Sequence, residues 1–317
     1  MKLNLTRKLF RILQPEYQIS EYEAPTLFNA EGDPIHTVYL QDTCAKHSPY
    51  SFVSGRLPKY ILWDRNNYGL QTHVYSHREM LYPKGNPTKK FGFLIESEGI
   101  AAKDYELIAS KRQEVNTLTG LFTHSESLLN QYSNALWIPG GGCWYGTGRH
   151  GGILDSKAYL QKTRNISIVA SDKEYCALHS FRKQLALRML EQNTGEVMGT
   201  VRGTYIKIAD SLTNFRYSIA IENYASKFYF TEKLLNCFAS MTVPIYYGAT
   251  TISDFFNPDG IIQIKKPDVN EALQMLSLCT EQDYFDRVDA IKDNYARVQQ
   301  YLSLEDYIFN HYSHLMF

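Results

Sequence analysis

Two polar pairs, Glu222-Asn223 and Glu232-Lys233, stand in the otherwise core-like stretch IENYASKFYFTEKLLNCFASMTVPIYYG that begins at Ile221. Charged groups beside buried residues need a partner or a ligand, because an unpaired buried charge is costly. Glu232 and Lys233 directly follow Thr231, whose hydroxyl suits a helix N-cap. A helix start carries unpaired N–H donors and a positive partial charge, which together favour a phosphate. Lysine in that first turn adds a full charge against a diphosphate. Glutamate there can accept hydrogen bonds from ribose hydroxyls, as an acid does in other nucleotide folds. The spacing therefore reads as a nucleoside-diphosphate site.

Other candidate chemistry is thinner. GTGRHG, Gly146–Gly151, fits the pattern G-x-G-x-x-G of dinucleotide sites. That fingerprint should follow a strand directly, yet the nearest candidate strand ends near Ile138. The glycines read instead as a flexible cleft or interdomain loop, in which Arg149 and His150 could touch an acceptor. His311 and His314 are three apart but have no third metal ligand nearby. Five cysteines without a C-x-x-C spacing argue against a disulfide framework or a zinc knuckle and favour free thiols in a reducing compartment.

These residues need elements to position them. The first half alternates short β-like runs with turns: His36–Leu40, Tyr60–Trp63, His73–Ser76, Phe91–Glu96, Gly120–His124 and Leu136–Ile138, with a helix over Tyr105–Val115. The glycine-rich segment Pro139–Gly152 is the interdomain candidate. The second half alternates strands (Ile166–Ser171, Tyr217–Ile221, Val243–Tyr247, Ile261–Ile264) with helices (Tyr175–Asn193, Thr231–Met241, Asn270–Leu278 and much of Gln282–Leu302). Such alternation implies an α/β fold with a parallel sheet. Ligands of these sheets sit beyond the carboxyl ends of the strands, where the strand Tyr217–Ile221 delivers Glu222 and Asn223.

The order Glu-Asn, seven residues, Thr-Glu-Lys, then V-P-I-Y-Y-G and F-F-N-P resembles the donor-binding region of the α1,3/α1,4-fucosyltransferases, glycosyltransferase family 10. The resemblance is most specific over Arg216–Gly260 and extends more weakly from Ile166 to about Leu302. It implies a GT-B architecture of two Rossmann-like domains flanking a cleft, here residues 1–158 on the acceptor side and 159–317 on the donor side. The last helix would pack back on the first domain. It implies GDP-fucose as donor, an acceptor glycan, inversion at the anomeric carbon and no required cofactor or metal. No D-x-D triplet, the usual metal–diphosphate handle of the other large transferase fold, occurs in the chain.

The same resemblance assigns roles residue by residue. Glu232 would bind ribose and Lys233 the diphosphate. Tyr229 and Asn223 match family residues near the donor, and Glu222 matches the acid before that asparagine. Arg182 in VASDKEYCALHSFRKQL is the best match for a pyrophosphate-binding arginine, with Lys183 and Arg188 as alignable neighbours. The general base would be Glu96 in KKFGFLIESEGI, at a strand end after the basic pair Lys89-Lys90. Glu98 lies on the same side and remains the alternative. The family's acid follows glycine and precedes asparagine, whereas Ile95 and Ser97 flank Glu96 here.

Composition bounds the rest. The 317 residues hold 33 Lys+Arg against 33 Asp+Glu, so the total charge does not point to a nucleic-acid surface. No apolar run approaches the roughly 20 residues of a membrane span. The first residues are basic and amphipathic, with Leu5, Leu9 and Ile12 on one face. They read as a short helix packed on its own domain, or as a peripheral contact with an anionic membrane from the cytoplasmic side.

Overall fold

The computed structural model describes residues 28–42, 50–53 and 55–317. The amphipathic segment around Leu5, Leu9 and Ile12, and Cys44, lie outside them. Among the described residues, β1 (His36–Gln41), β2 (Ile61–Asp64), β3 (Thr72–Ser76), β4 (Lys89–Phe93), β5 (Gly120–Thr123) and β6 (Ala135–Trp137) form one sheet. Its order is β2-β1-β3-β4-β5-β6, and every pairing is parallel. A second parallel sheet joins β7 (Arg164–Val169), β8 (Glu196–Met198), β9 (Phe215–Ile221), β10 (Val243–Tyr247) and β11 (Ile262–Gln263). Its order is β11-β10-β9-β7-β8.

Parallel strands covered on both faces read as continuous apolar runs rather than alternations. All seven residues of β9 are buried, as are all five of β3. Each sheet reverses its strand order once, between β1 and β3 and between β7 and β9. Such switch points open a crevice beyond the strand carboxyl ends.

The helices are α1 (Glu98–Ser110), α2 (Arg112–Asn116), α3 (Glu126–Gln131), α4 (Ala177–Gln192), α5 (Glu232–Ala239), α6 (Val269–Leu276), α7 (Glu281–Asp286), α8 (Val288–Val298) and α9 (Leu304–Met316). None is long and apolar enough to cross a membrane. The helix expected over Tyr105–Val115 begins earlier and breaks at Lys111, whose φ/ψ of −102°/49° is not helical.

Carboxyl-end loops of the two sheets meet. The ring of His124, just after β5, lies 4.5 Å from that of Tyr229, centroid to centroid. Gly99, in the first turn of α1, sits where a Cβ would come within 3.0 Å of the Asn223 carbonyl oxygen. Lys227 pairs with Glu126 at 2.9 Å.

The chain's last helix returns to the first sheet. The Glu305 carboxylate, 1% exposed, accepts from the Phe52 backbone N–H (2.6 Å) and Trp63 Nε1 (2.8 Å). Asp306 takes the Lys59 N–H, and Tyr312 donates to the Trp137 carbonyl at 2.6 Å. One apolar cluster consequently runs from Val38, Trp63 and Phe93 through Phe230, Leu234 and Phe256 to Tyr301 and Leu304. It joins the first sheet, α5 and α9 in a single core.

The Pro139–Gly152 segment between the sheets is pinned rather than loose, contrary to its glycine content. Trp144 and Tyr145 donate their backbone N–H groups to one acceptor, Asn236 Oδ1, at 2.8 and 2.9 Å. Gly140 donates to the Phe230 carbonyl (2.9 Å) and Cys143 to that of Leu302 (3.1 Å). The glycines at 140 and 142 serve close approach. An added Cβ would lie 2.6 Å from Tyr229 Cε2 at the first and 3.0 Å from the Leu302 oxygen at the second.

Candidate active site

The turn that opens α5 is built from its own sequence. Thr231 caps the helix, its hydroxyl accepting the Lys233 N–H at 3.3 Å. Fully buried Glu222, at the end of β9, accepts the Thr231 N–H (2.8 Å) and the Thr231 hydroxyl (2.7 Å) through its two oxygens. Glu222 thus braces the loop between β9 and α5.

Lys233 Nζ lies 3.0 Å from Glu232 Oε1, 3.7 Å from Glu222 Oε2 and 3.2 Å from the Thr231 hydroxyl. Burial works against its charge, but the two carboxylates outweigh it and hold its pKa above the ordinary lysine value. Burial would likewise raise Glu232, yet Lys233 keeps it below the usual range. For Glu222 burial wins and its pKa is raised, the attraction of Lys233 offsetting only part. Two cations, Lys233 and Arg182, thus stand among two carboxylates, Glu222 and Glu232, at this turn.

Arg182, on α4, is 9% exposed and donates Nη1 to the Ile221 carbonyl at 3.0 Å. Burial pulls its pKa down, with Glu222 and Glu232 acting in the opposite direction. Of its alignable neighbours, Lys183 pairs with Glu174, and Arg188 pairs with Glu191 at 3.2 Å. Neither lines the cavity described next.

A cavity of about 310 Å³ opens at the β7/β9 switch point. Its walls are the carboxyl end of β7 through Lys173, Gly199 and Thr200 after β8, Ser218–Ile221 of β9, and Trp144. Arg182, Glu232 and Lys233 converge on it beside the N-terminus of α5. Preorganised cations with a helix N-terminus are what a diphosphate needs.

Glu96, Glu98, Glu222, Asn223 and Tyr229 do not line this cavity. Asn223 Oδ1 meets His179 Nε2 at 2.9 Å, while His179 Nδ1 accepts the Tyr175 N–H, so the imidazole proton sits on Nε2. Asn223 thereby ties the β9 loop to α4. Tyr229 is 2% exposed and packs against His124.

Glu96 and Glu98 flank the start of α1, both half-buried. Glu96 Oε1 accepts the Ser97 N–H at 3.2 Å, and Glu98 accepts the Ser125 hydroxyl.

Two residues here, Asn236 and His124, leave little trace in the sequence. Asn236 is a buried amide in the third position after Lys233, and a polar residue on an otherwise apolar helix face was the available signal. His124, one residue past a strand, carried none.

The Gly146–Gly151 loop closes on itself through Gly146 N–H to the Gly151 carbonyl (2.8 Å) and Gly151 N–H to the Thr147 carbonyl (2.7 Å). No α-helix starts there, so the dinucleotide geometry is lacking. His311 stacks on Tyr307 at 4.0 Å and its Nδ1 meets the Tyr307 carbonyl oxygen at 2.9 Å.

Residues 160–302 match the family described as glycosyltransferase family 10 (fucosyltransferase) C-term. This bears out the resemblance carried by the β9–α5 region. An Arabidopsis thaliana α-(1,4)-fucosyltransferase is 39% identical over 56 residues, 18% of this chain. A Helicobacter pylori α-(1,3)-fucosyltransferase is 31% identical over 83 residues, 25% of this chain. The matched segments span only 14% and 17% of those two proteins.

Among solved structures, an α1,3-fucosyltransferase with GDP aligns over 89% of this chain and 94% of its own, at a TM-score of 0.51 and 14% identity. A sucrose-phosphate synthase from Thermosynechococcus elongatus aligns over 88% of each chain, also at 0.51, with 12% identity. At such identities the likeness establishes the fold alone, and that fold is GT-B.

Proposed function

We propose that this chain is an inverting, metal-independent glycosyltransferase that moves L-fucose from GDP-fucose to a hydroxyl of an acceptor glycan. The observation that carries the proposal is the convergence of Lys233, Arg182 and the α5 N-terminus on the cavity, inside the segment that matches the family 10 domain. The fold by itself selects no donor, since a sucrose-phosphate synthase is equally similar. The family 10 match and the GDP held by one structural neighbour support guanosine diphosphate and fucose.

In this reading the acceptor hydroxyl attacks the anomeric carbon in one displacement. Glu96 takes its proton as the new bond forms, an effect worth about 10²–10⁴-fold in rate. Negative charge grows on the departing diphosphate. Lys233, Arg182 and the helix N-terminus stabilise that charge, which leaves no task requiring a metal or cofactor. Glu232 accepts from the ribose hydroxyls, and Asn223 and Tyr229 hold the loop that carries the turn.

Thermal unfolding with GDP, UDP, CDP and NAD tests the donor. Ligand at 100 times its Kd adds about 2.7 kcal/mol of apparent stability. GDP alone should shift the transition; a shift with UDP alone would discard fucose, and one with NAD alone would discard the transferase reading. Lys233→Ala should lose most of the GDP shift. Glu96→Gln should keep it while turnover of GDP-fucose falls about 10²-fold or more. Wild-type turnover in Glu96→Gln would remove Glu96 as base.

A further inference from the structure

We propose that Tyr105 and His124 are positioning residues for the general base, fixing the Glu96 backbone and coupling it through Tyr229 to the donor-side loop. This rests on the reading of Glu96 as base.

Glu96 lies one residue beyond the apolar end of β4's run and before α1, where a strand-to-helix turn would otherwise be free to rock. Both of its backbone polar groups are taken by side chains from other elements. Its N–H donates to His77 Nε2 at 3.2 Å, and its carbonyl accepts the Tyr105 hydroxyl at 2.7 Å. The donors and acceptors sit on rigid ground. His77 is 1% exposed at the end of β3, with its other ring nitrogen 3.3 Å from Asp104; Tyr105 is 5% exposed on α1.

His124 Nε2 lies 3.1 Å from the same Tyr105 oxygen. A phenol has one proton. With that proton given to the Glu96 carbonyl, the oxygen accepts from His124 Nε2–H. His124 is 1% exposed, and burial keeps it neutral, with a pKa of about 3. Its ring packs on that of Tyr229, two residues before the α5 cap. A continuous path therefore runs from the α5 turn through Tyr229, His124 and Tyr105 to Glu96. Its members come from both sheets, so the base holds its place relative to the diphosphate turn only while the path is intact. A misplacement of about 1 Å at a reacting group can cost on the order of 10²-fold in rate.

Tyr105→Phe tests this with the least disturbance, since it keeps the ring and removes both bonds of the hydroxyl. The assay is GDP release from GDP-fucose by the full chain, with the GDP-induced thermal shift measured in parallel. Tyr105→Phe should lower kcat about tenfold or more, leave the donor KM and the GDP shift within twofold and within error respectively, and lower the rate of Glu96→Gln no further. That non-additivity is what a generally destabilising change would not produce. His124→Phe, which keeps a ring against Tyr229, should behave the same way and carries the test if Tyr105→Phe does not fold. A Tyr105→Phe rate within twofold of wild type, or an equal fall in the Glu96→Gln background, overturns the proposal and leaves Glu96 as base. Full turnover in Glu96→Gln, or no GDP release by wild type, overturns the functional reading and this proposal with it.

Discussion

Glu222 shows how one buried carboxylate can organise a helix-opening turn. It satisfies the first N–H and the hydroxyl of Thr231 and stands 3.7 Å from Lys233. Glu222→Ala leaves the Thr231 N–H and hydroxyl without their acceptor in a buried setting, while Lys233 keeps Glu232. A buried donor left without its acceptor costs about 1–3 kcal/mol, and the urea midpoint should fall accordingly. Glu222→Gln retains an oxygen for the Thr231 N–H and should lose less than half of that; equal losses would mean that charge alone matters. The sequence made the Thr-Glu-Lys turn legible because a cap and a first helical turn are local. It could not show that Glu222 serves this turn, since the partner lies nine residues on. Nor could it show that Asn236 binds the 144–145 backbone, some ninety residues away, because pairing across a fold leaves no local pattern.

At the level of elements, the strands were legible from their uninterrupted apolar runs, and β10 matches its expected bounds, Val243–Tyr247. The short β8 and α3 were missed, because three and six residues carry too little periodicity. α1 was expected to start seven residues late. Its first turns contain Gly99 and a non-helical Ala101 at φ −113°, which weaken the helical signature before Tyr105. The helix that returns to the first sheet, α9, carries a titratable anchor. Burial pushes Glu305 up to about 7 from the ordinary 4.5. Because the folded pKa is the higher one, the folded state holds the proton more tightly. The stabilisation from this group is full below about pH 4.5 and is lost as pH rises through about 7. Both N–H donors reach the same oxygen, Oε1, and the other oxygen faces the Ser303 hydroxyl. Glu305→Gln can satisfy all three contacts without a charge. Its melting temperature relative to wild type should rise between pH 4.5 and 7, by an amount equivalent to no more than ~3 kcal/mol. A difference constant across that range would show that Glu305 does not titrate there.

Taken whole, the molecule brings the carboxyl-end loops of two sheets together beside one shared apolar cluster. Domains joined by small polar interfaces move freely by default, whereas a large apolar interface couples them. The continuous core through Trp63, Phe93, Phe230, Phe256 and Leu304 argues for the second case. Unfolding followed by far-UV circular dichroism and by tryptophan fluorescence should accordingly give one coincident transition. The glycine segment is where this coupling is most exposed to a single change. At Gly140 an added Cβ would meet Tyr229 Cε2 at 2.6 Å and the Phe230 carbonyl oxygen at 3.0 Å. Tyr229 in turn packs on His124, so a shift there propagates to both loops of the cleft. Gly140→Ala should cost about 1–3 kcal/mol, the usual penalty of overpacking, and lower turnover as well. Gly148, in the same segment, has open space around its Cβ position and no positive φ, so Gly148→Ala should leave both unchanged. If the two variants behave alike, the segment is a passive connector. If only Gly140→Ala is impaired, the close approach of the chain to Tyr229 sets the spacing between the two loops that meet there.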